Sequence, residues 1–516
     1  MSTPSPTTVN VSPDPSTLPE TRHVIIRLDR ATRGDEPDLL DVARDAGHTR
    51  LVAFLRSRPG IRAQRAIRHA SPQNIRQRET IASRSDFAPR NSLTSYWRLD
   101  ARSEPDVDAI VAELGGMSGE VELAYHETRV LDASPAAPSV VANPYQASQD
   151  VLNAAPQGID ARAAWGRVNG LGQNVSLIDL ESAWIRNHED IPAFQVLHGD
   201  NRVDNKTSPG DHGAAALSII GAANNALGVV GIAPELQNLD AVSHYDADTD
   251  TELHVSDAID AATKFLQPGD ILALEVQRPQ GGRSYPVEID AVDLEAIRLA
   301  CAQGIIVIEA AGNWYNNDLD AWQDPIGQHS LNPYSALFTD SGAIMVGASN
   351  FAVVNDQQGG FSGHERYYRS NYGQRIDCYA LGEKTYAAGY GDLAGASGGS
   401  QSYTGNFGET SGATAVIAGA AALVQSWYKS ACGGAPLGPA QMRAILSNPD
   451  TGTPQVNVNG QPIGVMPDLD SIMTFSRRLR QIVLCLLGRL GRLGRRPIFD
   501  VGQFESFKQQ RHEQEG

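Results

Sequence analysis

The chain has 516 residues, 41% of them hydrophobic and 20% charged, with a formal net charge of -18. Such a length and apolar share describe a globular chain of more than one domain and exclude a fibrous or mostly disordered one. The negative balance argues against a general affinity for nucleic acid, and no apolar run approaches the roughly 20 residues that span a bilayer.

Residues 1–20 are rich in Pro, Ser and Thr and read as a flexible lead. They have neither the basic start nor the apolar stretch of a secretory signal, so the chain is expected in the cytoplasm unless another route exports it. Residues 21–130 read as a small α+β domain. His23 to Asp29 forms a strand, a helical stretch covers Leu39 to Leu55, and Thr94 to Asp100 forms a second strand. Val107, Ile110, Val111 and Leu114 then lie on one helical face, and Glu120 to Tyr125 alternates as a further strand. That order suits a split βαβ arrangement.

Residues 131–144, from Leu131 to Pro144, form a Pro, Ala and Ser linker of the kind where chains divide and proteases cut. From 145 to 475 the pattern changes. Short apolar runs at Val175 to Asp179, Ile271 to Leu274, Ile305 to Ile308 and Ile344 to Gly347 alternate with helical stretches at His212 to Gly221, Val255 to Leu266 and Ala291 to Gln303. The alternation predicts an α/β domain of three layers, a parallel sheet covered by helices on both faces.

In such sheets functional groups gather at the carboxyl ends of the strands. Asp179 ends one strand, Asn313 follows another in Glu309-Ala-Ala-Gly-Asn313, and His212 opens the helix of Gly210-Asp-His-Gly. Ser411 precedes a small-residue helix in Gly408-Glu-Thr-Ser-Gly-Ala-Thr-Ala. Unpaired N–H groups at that helix mouth favour an alkoxide or oxyanion, although a serine there also serves as an ordinary cap. Four such residues supply an acid, a base, a nucleophile and an amide donor.

These segments resemble the catalytic domain of subtilisin-like serine peptidases, the subtilases, from about Tyr145 to Met473. The resemblance also rests on Gly228-Val-Val-Gly-Ile-Ala-Pro234 and Ser370-Asn-Tyr-Gly373, and on the chain order Asp, His, Ser. It implies a serine endopeptidase with Ser411 as nucleophile, His212 as general base and then acid, and Asp179 as the residue holding the imidazole. It gives Asn313 and the Ser411 N–H the oxyanion, where loss of one donor costs on the order of 10²- to 10³-fold in rate. Protein or peptide substrates are implied, and the first domain becomes a propeptide that inhibits its own catalytic domain. Self-cleavage is then expected between about Arg129 and Tyr145. The alternative is a degenerate subtilase used as a binding scaffold, for which Glu409 in place of the usual Gly is the main support. Leu180-Glu181 also departs from the family's small residue and Gly, and is expected to alter only the turn.

Glu275 and Glu309 are candidates for the substrate pocket. Their strands are expected to be neighbours, which would let the two carboxyls share a proton and make activity fall as pH rises. Gly395-Ala-Ser397-Gly-Gly399 fits the esterase G-x-S-x-G pattern, but its turn-forming surroundings lack the strand and helix of that elbow. No cofactor or metal is expected for catalysis, and Asp200 to Asn205 lacks the spacing of a dedicated calcium loop. Cys301, Cys378, Cys432 and Cys485 lie far apart without metal or redox spacing, and read as thiols in preference to the alternative of a single disulfide. Residues 476–516 form a tail whose Arg477 to Arg496 run is basic and amphipathic. Packing on the chain's own acidic surface is preferred there over contact with a membrane.

Overall fold

The computed structural model describes residues 22–29, 36–68, 70–127, 131–132, 145–197, 210–245, 254–324, 326–351, 353–355, 360–431 and 435–474. The lead, the linker from 133 on, the acidic run at 200–205 and the tail after 474 lie outside them. By its contacts the chain divides at Asp470, with Ser471–Gly516 as a second unit.

Apolar residues on both faces of its central strand build the first sheet. His23–Leu28 lies between Tyr96–Asp100 and Val121–His126, with Arg62–Arg65 at the far edge, and all neighbours are antiparallel. That order is the split βαβ arrangement. One face carries Val24, Ile26, Trp97 and Leu99 into a cluster with Leu39, Leu51, Phe54, Ile110 and Leu114 of the helices. The helix expected over Leu39 to Leu55 is two, Leu39–Asp45 and Thr49–Ser57, because Gly47 turns left-handed between them at φ +75°.

The other face of this sheet does not stop at the linker. Ile25, Ile67, Ile75 and Leu123 share a cluster with Val292 and Leu299 of the later helix Ala291–Ala302. Polar contacts surround it. Arg68 bonds Asp257, Arg78 pairs with Asp260, the N–H groups of Arg90 and Asn91 donate to Glu295, and Tyr125 donates to Asp290 at 3.0 Å.

The main sheet has eight strands in the order Gly452–Pro454, Val465–Pro467, Cys378–Leu381, Ile344–Ser349, Ile306–Ala310, Ile271–Leu274, Ser176–Glu181 and Asn238–Ser243. All neighbours are parallel except the first two. Continuous apolar runs are what a sheet buried on both faces requires. Ile178, Leu180, Leu272, Leu274 and Val307 meet the helices Val255–Ala262 and Ala291–Ala302. The helices Asp211–Gly221 and Glu409–Ala431 pack against each other, the latter also along the strands at 271, 306, 344 and 378. The result is a three-layer α/β arrangement. Cys301 and Cys378 are free and buried, and among the described residues no helix is long and apolar enough to cross a membrane.

Candidate active site

Asp179 and Glu181 end the strand Ser176–Glu181, and both side chains are fully buried. Side chains alternate along a strand, so these two project from one face while Ile178 and Leu180 project from the other. On that face Glu181 Oε1 lies 2.5 Å from His212 Nδ1, and Asp179 Oδ2 accepts from Trp184 Nε1 at 2.8 Å. Glu181 therefore meets the imidazole, which the sequence reading did not expect, and the Asp179 carboxyl lies within 4.8 Å of the Glu181 carboxyl. The extra methylene of Glu181 and its position two residues further along the strand bring it to the ring.

His212 is the second residue of its helix, entered through Gly210 in the left-handed region at φ +86°. A Cβ on Gly213 would come within 2.4 Å of the Ala183 carbonyl and 2.6 Å of the Trp184 indole. Glycine at 213 is what lets the helix start lie this close to the turn after Glu181. Asp211 accepts from the N–H groups of Tyr390 and Gly398 and from the Ser397 hydroxyl. Ser397 thus braces a loop, as its sequence context predicts, and is no nucleophile elbow.

Ser411 is the third residue of the buried helix Glu409–Ala431. Glu409 opens it with φ +54°, a backbone region that costs a non-glycine residue about 1 kcal/mol or more. Its carboxylate is buried and lies 3.0 Å from Arg369 Nη1. Burial raises the Glu409 acid to about 7, against the pull of Arg369 and His212. The His212 ring packs edge-on against Phe407, four residues before Ser411, at 5.2 Å.

Asn313 meets the same helix start. Its Oδ1 accepts from the Thr410 N–H at 3.0 Å and the Thr410 hydroxyl at 2.8 Å. Because a backbone N–H can only donate, the amide orientation follows, and Nδ2 is left buried without a partner among the described residues. The asparagine backbone is held too. Its N–H donates to Gln277 Oε1 at 2.8 Å, and the Asn371 N–H donates to the Gly312 carbonyl at 3.0 Å. Gln277 belongs to the strand Val276–Gln280, against which Leu131–Asp132 pairs antiparallel, Leu131 opposite Gln277 and Asp132 opposite Val276.

The strands bearing Glu275 and Glu309 are neighbours, but the coupled pair expected of them is not formed. Glu309 stands opposite Leu274, so Glu275, one residue on, falls on the other face. Glu309 Oε1 accepts the Glu288 N–H at 2.9 Å. Burial, with the nearby Glu288 carboxylate, holds the Glu309 acid well above its ordinary value. Glu288 itself is lowered by Arg375, at 2.7 Å, in spite of burial. Glu275 instead joins Asp179 and Glu181, with oxygens of all three within 4.8 Å of one another. Among the described residues this is the group with the spacing to hold a metal ion, and two of its members are already engaged by His212 and Trp184.

Residues 172–461 match the profile of Peptidase S8, the subtilase family. The chain belongs to the subtilase family. This subtilase is 28% identical to the intracellular serine protease of Paenibacillus polymyxa over 302 residues, covering 55% of this chain and 77% of that one. Against subtilisin NAT of Bacillus subtilis subsp. natto it is 28% identical over 260 residues, 49% of this chain and 56% of the relative. Among solved structures, one of proteases from Pseudoalteromonas arctica PAMC 21717 aligns with a TM-score of 0.45 at 21% identity, over 64% of this chain and 98% of that one.

Sequence reasoning missed the part Glu181 plays in this subtilase. The signal was present: Asp179-Leu180-Glu181 at a strand end puts two carboxylates on one face. Gln277 and Arg369 carried no such signal, since each acts through a partner distant in the chain.

Proposed function

We propose that this subtilase is a serine endopeptidase made as a self-processed zymogen. The Ser411 Oγ attacks the scissile carbonyl carbon as its proton passes to His212 Nε2, and a carboxylate at Nδ1 keeps the tautomer that leaves Nε2 free to accept. The oxyanion is received by Asn313 Nδ2 and the Ser411 N–H at the positive end of the helix. His212 then returns its proton to the leaving amine.

One observation carries this reading. A buried amide donor left without a partner costs about 1–3 kcal/mol, and the orphan here is Asn313 Nδ2, beside Thr410-Ser411. An oxyanion forming at Ser411 would satisfy it. The scaffold alternative rests on Glu409, and the pairing of that carboxylate with Arg369 gives the acid a place that does not require a blocked cleft.

The pairing of Leu131–Asp132 beside Gln277, which bonds Asn313, supports a first domain that inhibits by passing its own chain along the site. Purified full-length protein and its Ser411→Ala variant should be incubated side by side and their masses followed. Wild type is expected to lose its first domain by cleavage between about Arg129 and Tyr145 and to hydrolyse peptides, while the variant keeps Met1 and does neither. Wild-type hydrolysis by folded Ser411→Ala protein would overturn the proposal.

A further inference from the structure

We propose that Arg369 is a specificity-determining residue that receives an acidic side chain from one of the two substrate residues following the scissile bond, with Glu409 as its resident competitor. The assignment deepens the serine peptidase reading above and rests on it. Arg369 is tied to both halves of the site. It precedes Ser370, which bridges to Asn313, and its own carbonyl accepts the Trp314 N–H. At the serine helix its Nη1 lies 3.0 Å from Oε1 of Glu409, two residues before Ser411.

Its place relative to the cut follows from the chemistry. His212 hands its proton to the leaving amine, so the groups at the start of the serine helix that lie beside His212 flank the residues that depart. Phe407 packs on that ring at 5.2 Å, and the His212 charge reaches Glu409. For a cut beyond Asp132, the chain's own acyl side is Leu131–Asp132, which pairs with Val276–Gln280 in a sheet that does not include Arg369.

The guanidinium is only partly used. Among the described residues Arg369 Nε and Glu409 Oε2 are buried without a partner, and the Arg369 side chain keeps 21% of its surface open. A guanidinium presents its donors in a planar fork that fits a carboxylate through two of them, so a single contact at Nη1 leaves donors for a second acid. Tyr315, whose ring lies 5.8 Å from the guanidinium carbon, and Tyr368, 5.5 Å from Tyr315, are each more than half exposed. They offer a wall for the aliphatic part of such a side chain. Glu409 sets how strongly Arg369 attracts. Burial raises its acid to about 7 against the pull of Arg369 and His212, and Tyr367, itself near Glu383, also faces it. Below that pH Glu409 is neutral and the Arg369 charge is unbalanced. Above it, the resident carboxylate competes with the substrate's, which is ionised on both sides of that pH.

The full chain should be assayed on internally quenched peptides that differ only in carrying Glu or Gln at the first or second residue after the cut, with the cut mapped by mass. The readout is the Glu-to-Gln ratio of kcat/KM, in which the protonation of the catalytic base cancels. For wild type that ratio is expected to be about tenfold near pH 6 at one of the two positions, and to fall toward one above about pH 8. Arg369→Gln should bring it to about one at every pH, and Glu409→Gln should hold it high at the alkaline end. A wild-type ratio near one at both positions would overturn the proposal, as would a ratio that survives Arg369→Gln or a preference for Glu found only before the cut. Should Arg369→Gln fail to fold, Glu409→Gln decides by itself, an alkaline ratio no higher than that of wild type counting against Arg369. Peptides left uncut in either form would sink the peptidase reading, whereas peptides cut without preference sink only this assignment.

Discussion

Glu409 shows how one side chain beside a nucleophile is tuned by its surroundings. Its ordinary value is 4.5, and burial raises it to about 7 although Arg369 and His212 pull the other way. A raised acid binds its proton more tightly folded than unfolded. The folded state is therefore favoured at low pH, and stability falls as pH rises from about 4.5 to about 7, with no further change above. Replacing Glu409 by Gln should remove that slope. Measured in the Ser411→Ala background, the Tm of Glu409→Gln relative to its parent is expected to climb across this window. Parallel Tm curves for the two proteins would refute the account. The same logic separates Glu309 from the site: its raised acid answers to burial and then to Glu288, on the far face of the sheet from His212.

At the scale of elements, two helix starts and one strand end are brought together by small residues. Gly213 is the clearest case. Alanine in a helix is normally favoured over glycine by about 1 kcal/mol, yet here a Cβ would meet the Ala183 carbonyl at 2.4 Å, and that backbone belongs to the turn after Glu181. The helix must move away from the strand to admit it. Gly213→Ala is expected to destabilise by about 1–3 kcal/mol through overpacking and to lower kcat, because His212 rides on the displaced helix. A raised Tm, the ordinary result of such a substitution, would show that the close approach has no consequence. Gly408 has a similar constraint at the serine helix, where a Cβ would lie 2.2 Å from the Gly382 carbonyl.

At the scale of the molecule, the first domain and the catalytic layers are joined by charge as well as by apolar contact. Arg78 pairs with Asp260 and donates to Thr263 at 3.2 Å, and the Asp260 side chain is almost fully buried. Removing the guanidinium leaves a buried carboxylate short of a partner, with Lys264, at 3.3 Å, still beside it. In the uncleaved Ser411→Ala chain, Arg78→Ala is expected to lower Tm by several degrees. If the wild-type chain self-processes, the same change should leave the Tm of the mature product untouched, since Arg78 has departed with the first domain. An equal Tm in the two uncleaved chains would show that the charged contacts do not hold the domains together.

The sequence by itself determined the layers. Uninterrupted apolar runs such as Ile271 to Leu274 and Ile305 to Ile308 require a sheet buried on both faces, and alternation in Glu120 to Tyr125 requires one with two different faces. These are periodicities local to a segment, and so they are legible without partners. The breaks were less so: Gly47 divides a helix that apolar spacing alone would have continued. The site followed the same division. Ser411, His212 and Asn313 stand out because helix mouths and strand ends are readable from the chain. Which carboxylate meets His212, and which acids face each other across the sheet, depends on register and side-chain length between segments tens of residues apart. Only the tertiary structure decided those, by setting Glu181 on Nδ1 and turning Glu275 and Glu309 to opposite faces.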